Sequence, residues 1–223
     1  MASTLRQACA GFRSGLDVPG STSMLEQLRA APSSLQIYAG CLCPSAGDSL
    51  RSGEDLEAFH ALSGLQHVLL RRWDAIPSET RRHLRDWLLH LGLEGGPPGV
   101  AFQAPTQNAA LAAAAAAWKR GWVEELERER GGNPNGGPED APNPYDPRAP
   151  SLPGPDSLIA SLKALSHPTA FSSPDPAPAG RLIRANVFLA SLVGEMSGGG
   201  RNKVNLGQTI LFHKRAHEEF EAK

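Results

Sequence analysis

Apolar residues recur every three or four positions along most of this chain, and strict apolar–polar alternation is absent. The clearest stretch is Glu54–Leu93. Leu56, Phe59, Leu62, Leu65, Leu69 and Trp73 share one face of a 3.6-residue period, while Glu57, His60, His67 and Arg71 fall mostly away from it. The turn Asp74-Ala75-Ile76-Pro77 follows, with Pro77 suited to a first helical position. Leu84, Trp87, Leu88 and Leu91 then repeat the helical spacing, and Gly92 with Gly95-Gly96-Pro97-Pro98 ends it. The pattern predicts two amphipathic helices folded on each other. Such a hairpin is the unit of an α-solenoid and needs stacked neighbours to bury its apolar face.

The rest of the chain divides around that unit. Residues 1–20 form an N-terminal arm or short helix with Leu5, Ala8, Cys9 and Phe12 inward, ended by Asp17-Val18-Pro19-Gly20. Residues 21–50 make a first hairpin. Ser23 and Glu26 have capping-box spacing for its first helix, and Ser33 or Ser34 caps the second, which carries Leu35, Ile37, Tyr38 and Leu42. Residues 51–97 are the second hairpin. Residues 98–179 are a third: an alanine-rich helix, Thr106–Trp122, with Gly121 as its C-cap, and a helix at Asp156–Ser166. Between them, residues 131–155 are rich in Pro, Gly and Asn without apolar periodicity, and read as a disordered insertion. Residues 180–223 are a fourth hairpin. Arg181–Ser197 is apolar around most of its circumference, as a helix buried on several sides would be. Gly207–Lys223 opens a last helix with no polar capping repeat after it, so the hairpin reads as truncated.

The expected class is therefore all-α: an α-α superhelix of the HEAT/armadillo-like kind with about four hairpins. Composition narrows the function classes. A net charge of −1 gives no long-range attraction to nucleic acid or to an anionic membrane surface. Three cysteines make no disulfide framework and suit a reducing compartment. No apolar run approaches the roughly 20 residues of a membrane span.

Several short motifs raise chemistry and fall short of it. Gly47-Asp48-Ser49-Leu50 has the letters of an esterase nucleophile motif, but no strand leads into it and no Asp-x-x-His follows. His213 and His217 have the spacing of a zinc pair, but Lys214 stands where a metalloprotease has its glutamate, and no third ligand is nominated. Cys41-x-Cys43 supplies two ligands at most and reads as thiols buried on a helix. Gly198-Gly199-Gly200-Arg201-Asn202-Lys203 lacks phosphate-loop spacing. The basic cluster Arg71, Arg72, Arg81, Arg82 and Arg85 is offset by Asp74, Glu79 and Asp86. No catalytic, cofactor or metal site is expected, and no enzyme.

Three stretches carry a family resemblance: Phe59 through Trp73; Trp118-Lys119-Arg120-Gly121-Trp122-Val123-Glu124; and Asn186–Phe220, with Phe188-Leu189-x-Ser191-Leu192-Val193-x-Glu195, Leu206-Gly207 and Phe212-His213. In this order the chain resembles the N-terminal part of nuclear export receptors of the importin-β (karyopherin) family, of the exportin-four type. The resemblance implies a HEAT-repeat superhelix that binds Ran-GTP and a protein cargo. It also implies weak contacts to phenylalanine-glycine nucleoporins, and shuttling between nucleus and cytoplasm. No direct nucleic-acid contact and no membrane insertion are implied. In that family the second helix of each N-terminal hairpin meets Ran, which nominates Arg82, Arg85 and Asp86 on the helix after Pro77 as Ran contacts. The competing expectation is a HEAT-like scaffold without Ran affinity.

Overall fold

A computed structural model describes residues 2–43, 55–131, 143–152, 154–165, 177–196, 218, 220 and 221. The fold is all-α, and its helices pack side by side in a manner consistent with a superhelix of helical hairpins. Among the described residues the helices are α1 (Ala2–Ser14), α2 (Val18–Ala30), α3 (Ser34–Leu42), α4 (Asp55–Arg72), α5 (Ser78–Glu94), α6 (Ala104–Gly131), α7 (Pro155–Leu165) and α8 (Ala177–Met196), with a 3-10 turn at Trp73–Ala75. The Gly47–Leu50 motif, the Gly198–Lys203 loop, His213 and His217 lie outside the described residues, as does most of the helix expected at 207–223. Of that helix Glu218, Phe220 and Glu221 are described and helical.

Local chemistry explains where two boundaries differ from the sequence pattern. Asp17 starts α2 instead of ending α1: its Oδ1 accepts from the Gly20 N–H at 2.9 Å, and Pro19 fits the first turn. The Ser23–Glu26 spacing therefore falls inside the helix. At the other end of α5, Gly92 stays helical and Gly95 forms the cap, in the left-handed conformation at φ 82°. Gly92 lies close against α6: a Cβ there would sit 2.6 Å from Leu111 Cδ2, so that side chain would have to shift.

The helix the others gather on is α6. It makes close backbone approaches to α4, α5 and α8. The cause is in its sequence: Ala110, Leu111 and Ala113–Ala117 are all buried, and methyl side chains hold neighbouring backbones apart less than leucines do. Successive helices approach most closely as α1 with α2, α3 with α4, α5 with α6 and α7 with α8. That pairing is shifted by one helix from the hairpins drawn at 21–50, 51–97 and 98–179. α4 and α5 follow each other through a short corner, yet each lies closer to α6 than to the other. At the α3–α4 contact the ring of Tyr38 lies over Gly64, where a Cβ would stand 2.3 Å from Tyr38 Cζ.

The ends of four helices are held by cations from other elements. The Arg72 guanidinium donates to the carbonyls of Ala30 (2.7 Å) and Ala31 (2.8 Å), closing α2. Arg120 Nη2 donates to Leu70 O at 2.7 Å near the end of α4. Arg184 Nε donates to Leu93 O at 2.6 Å at the end of α5, and Lys119 Nζ donates to Glu195 O near the end of α8. Helix C-termini carry unpaired carbonyls and partial negative charge, so a cation there satisfies both. At the start of α6 an acid does the complementary work: Asp55 accepts from Gln103 N–H (3.0 Å) and Thr106 Oγ1 (2.6 Å).

Candidate functional site

The sequence nominated the polar residues of α5, and the structure places them in two different settings. Arg82 is half-exposed. Arg85 and Asp86 are buried, with side-chain exposures of 1% and 5%. As placed here they are not surface contacts. The reason is a segment without regular structure, residues 143–152, which lies over that face of α5. This corrects the expectation for 131–155: residues 143–152 are packed against the helix, not a disordered insertion, while residues 132–142 lie outside the described residues.

We call 143–152 the strap. Arg85 Nε donates to Asp86 Oδ1 at 2.9 Å, so the two neighbours form an ion pair beneath it. Asp86 Oδ2 accepts from the Leu152 N–H at 3.0 Å, and Arg85 Nη2 donates to Leu152 O. Adjacent side chains of α5 thus hold both the N–H and the C=O of one strap residue. Arg85 also lies over the Trp118 ring, 4.0 Å from its centroid, and its aliphatic stem passes 3.5 Å from where a Gly121 Cβ would be. Gly121 lies inside α6 and is not its C-cap, and a Cβ there would make only ordinary contact with the arginine. Burial pushes the Asp86 carboxyl above the ordinary carboxylate range, and Arg85 offsets part of that shift.

Three further anchors fix the strap along α5. Asn143 Nδ2 donates to His83 O at 2.8 Å. Tyr145 stacks on Trp87 with ring centroids 5.1 Å apart. Asp146 Oδ2 lies 3.9 Å from His90 Nε2, whose pKa is lowered by burial. Asp146 also organises the strap internally. It accepts from the Arg148 N–H and Nε, both at 3.0 Å, and from Arg148 Nη2 at 2.7 Å, and its carbonyl accepts from Ala149 N–H at 3.0 Å. The Arg148 hydrogen bonds hold its carboxyl below the ordinary range. These are the contacts of an Asx-type turn. The run Asn143-Pro144-Tyr145-Asp146-Pro147-Arg148 carries turn residue types, the one sequence signal that could have separated the strap from the rest of 131–155.

The Trp118–Glu124 stretch is a joint. Trp118 and Trp122 are fully buried, and the Trp122 ring meets Phe220 edge-on at 5.5 Å. Lys119 and Arg120 reach the ends of α8 and α4, as above. Glu124 Oε1 accepts from Trp73 Nε1 (2.8 Å) and Arg81 Nη1 (2.9 Å). Sequence reasoning assigned this stretch to a helix end and missed that its cations cap other helices.

The thiols are placed as hydrophobes. Cys9 and Cys43 are buried, Cys41 is partly so, and burial pushes the Cys9 and Cys43 thiols up to about 11. Among the described residues no group of three His, Cys, Asp or Glu side chains could hold a metal ion, and no helix is long and apolar enough to cross a membrane. Compared with protein-family models, curated proteins and solved structures, the chain matches none of them.

Proposed function

We propose that the chain is the N-terminal part of a nuclear export receptor of the importin-β kind, which binds Ran-GTP and takes part in carrying protein cargo through the nuclear pore. Contacts to phenylalanine-glycine nucleoporins and shuttling between nucleus and cytoplasm belong to the same reading. It assigns binding work and no chemical step.

The observation that carries the reading is the meeting of the three resemblance stretches. Phe59–Trp73 lies on α4 and its 3-10 turn, Trp118–Glu124 on α6, and Asn186–Glu195 on α8. Arg120 ties α6 to the Leu70 carbonyl, Lys119 ties it to the Glu195 carbonyl, and Glu124 takes the Trp73 indole N–H. Motifs far apart in sequence serve one packing joint, which is how shared residues would stay in register in a family of stacked helices. Of the nominated Ran contacts, Arg82 is the accessible one, and Arg85 with Asp86 becomes so only when the strap leaves.

The test is retention of Ran by the purified chain, with Ran loaded with a non-hydrolysable GTP analogue or with GDP. Selective retention of the GTP-analogue form is the expected result. Equal retention, or none by a chain that circular dichroism shows to be helical, overturns the reading in favour of a helical scaffold without Ran affinity.

A further inference from the structure

A cavity of about 450 Å³ lies where five parts of the chain meet: the end of α5, the loop 95–102, Gln107 of α6, Arg148 of the strap and Arg184 of α8. That volume is in the range of small-molecule sites. The loop follows its path because Gly95, Gly96 and Gly99 take φ values of 82°, 135° and 78°, which residues with a Cβ rarely adopt. Pro97, Pro98 and Phe102 give the cavity an apolar wall.

Two donors here are not spent on the fold. Gln107 Nε2 is shut off from solvent and has no hydrogen-bond partner, which is costly for an amide. The hydrogen bond described for Arg184 uses Nε on Leu93 O and leaves the fork of Nη1 and Nη2 unspent. Both donors converge on Gly95: a Cβ there would stand 3.3 Å from Gln107 Nε2 and 3.4 Å from Arg184 Nη1. Charge points the same way. The acid of the lining, Glu94, is held by Arg181 Nη2 at 2.8 Å and Nε at 3.2 Å. Arg148 is occupied by Asp146 through Nε and Nη2. Arg184 has no carboxylate at hydrogen-bond distance among the described residues; burial lowers its pKa, and Glu94 offsets part of that shift. A partly desolvated guanidinium with an unspent fork suits an oxyanion, to which it gives two parallel hydrogen bonds.

We propose that this cavity binds a small organic oxyanion, a carboxylate or a phosphate monoester, with its charged head between Arg184 and Gln107 and its apolar body against Pro97 and Phe102. The site goes beyond the export-receptor reading. It does not require Ran, and its failure would leave GTP-selective binding untouched.

The probes are phenyl phosphate and phenylacetate, with benzyl alcohol as the uncharged control. Each is titrated into the full chain labelled with nitrogen-15, and the Gln107 side-chain amide and the Gly95 and Gly96 backbone amides are followed by NMR. Loss of its signals in Gln107→Leu assigns the side-chain amide. Saturable shifts with either anion and none with the alcohol are expected, and the tighter anion names the head group. Read from Gly95 and Gly96, the affinity should fall about tenfold in Gln107→Leu, since a hydrogen bond to a charged group is lost there. It should fall further in Arg184→Met, which removes the guanidinium. No saturable shift with either anion, binding of the alcohol as tight as that of the anions, or an unchanged affinity in Gln107→Leu would each overturn the proposal. If Arg184→Met loosens the end of α5, Gln107→Leu decides, because the nitrogen it removes holds no hydrogen bond in the fold.

Discussion

Helix α5 is held on two sides by different means. Toward α6 the contact is close and rests on buried apolar residues, with Gly92 against Leu111, and it carries two cationic contacts at its side, Arg85 over the Trp118 ring and Arg81 on Glu124. Toward the strap the Arg85–Asp86 pair holds the Leu152 peptide unit, Asn143 reaches the His83 carbonyl, Asp146 lies beside His90 and Tyr145 stacks on Trp87, with Ala149 and Leu152 buried. Both surfaces are buried, so burial alone does not tell them apart. The difference is in what happens on separation. Parting α5 from α6 exposes apolar surface and costs in proportion to its area. Parting the strap exchanges its hydrogen bonds for water, a difference of about 1 kcal/mol for each neutral bond, and also exposes Tyr145, Ala149 and Leu152.

Four variants break or sharpen this contrast. Trp118→Ala should have the largest effect, about 3–5 kcal/mol in urea unfolding, because it removes a fully buried ring from α6 and the surface on which Arg85 rests. A loss under about 1 kcal/mol would mean that α6 is not the core element. Next comes Asp86→Ala, at about 3 kcal/mol, since it leaves the buried Arg85 cation without its carboxylate. The double change Arg85→Met with Asp86→Leu should cost less than the single one, because no lone charge stays buried and only the Leu152 peptide unit loses its partners. A double variant as unstable as the single one contradicts that view. Ala114→Leu adds bulk where α6 has none to spare and should cost about 1–3 kcal/mol; an unchanged midpoint would show slack in the joint.

The smallest effect is on pH. Burial lowers the pKa values of His60, His67 and His90 from the ordinary 6.5. As pH falls below that value the unfolded chain takes up protons first. The stability these residues contribute is thus present above it and is lost on acidification toward the folded values. Asp86, raised by burial, acts with the opposite sign, being better tolerated once protonated. His90→Gln should therefore shrink the drop in urea midpoint between about pH 7.5 and 5.5. A larger drop in that variant would show that His90, 3.9 Å from Asp146, gains a proton on folding.

The periodicity of Leu56–Trp73 and Leu84–Leu91 carried the helices and the all-α class, because apolar spacing is set by the helix itself. The pairing of helices was not legible in the same way. An alanine run reads as propensity, and that its bareness brings α4, α5 and α8 onto α6 is a property of three other surfaces. Cross-helix caps share this limit: Lys119, Arg120 and Arg184 look like solvated charges until the carbonyls of Glu195, Leu70 and Leu93 are placed beside them. At the candidate site the choice of α5 came from the family resemblance, and helical phase then showed which of its side chains leave the apolar stripe. It could not show that Arg85 and Asp86 leave it toward a strap some sixty residues away in sequence.

Native-state hydrogen exchange of the full chain tests the contrast most directly. The amides of Ala113–Ala117 should exchange only by global unfolding, while the Leu152 amide, hydrogen-bonded to Asp86, should exchange through local opening at least about 100-fold faster. Equal protection at both places would contradict the account: the strap would then be as permanent a part of the fold as α6.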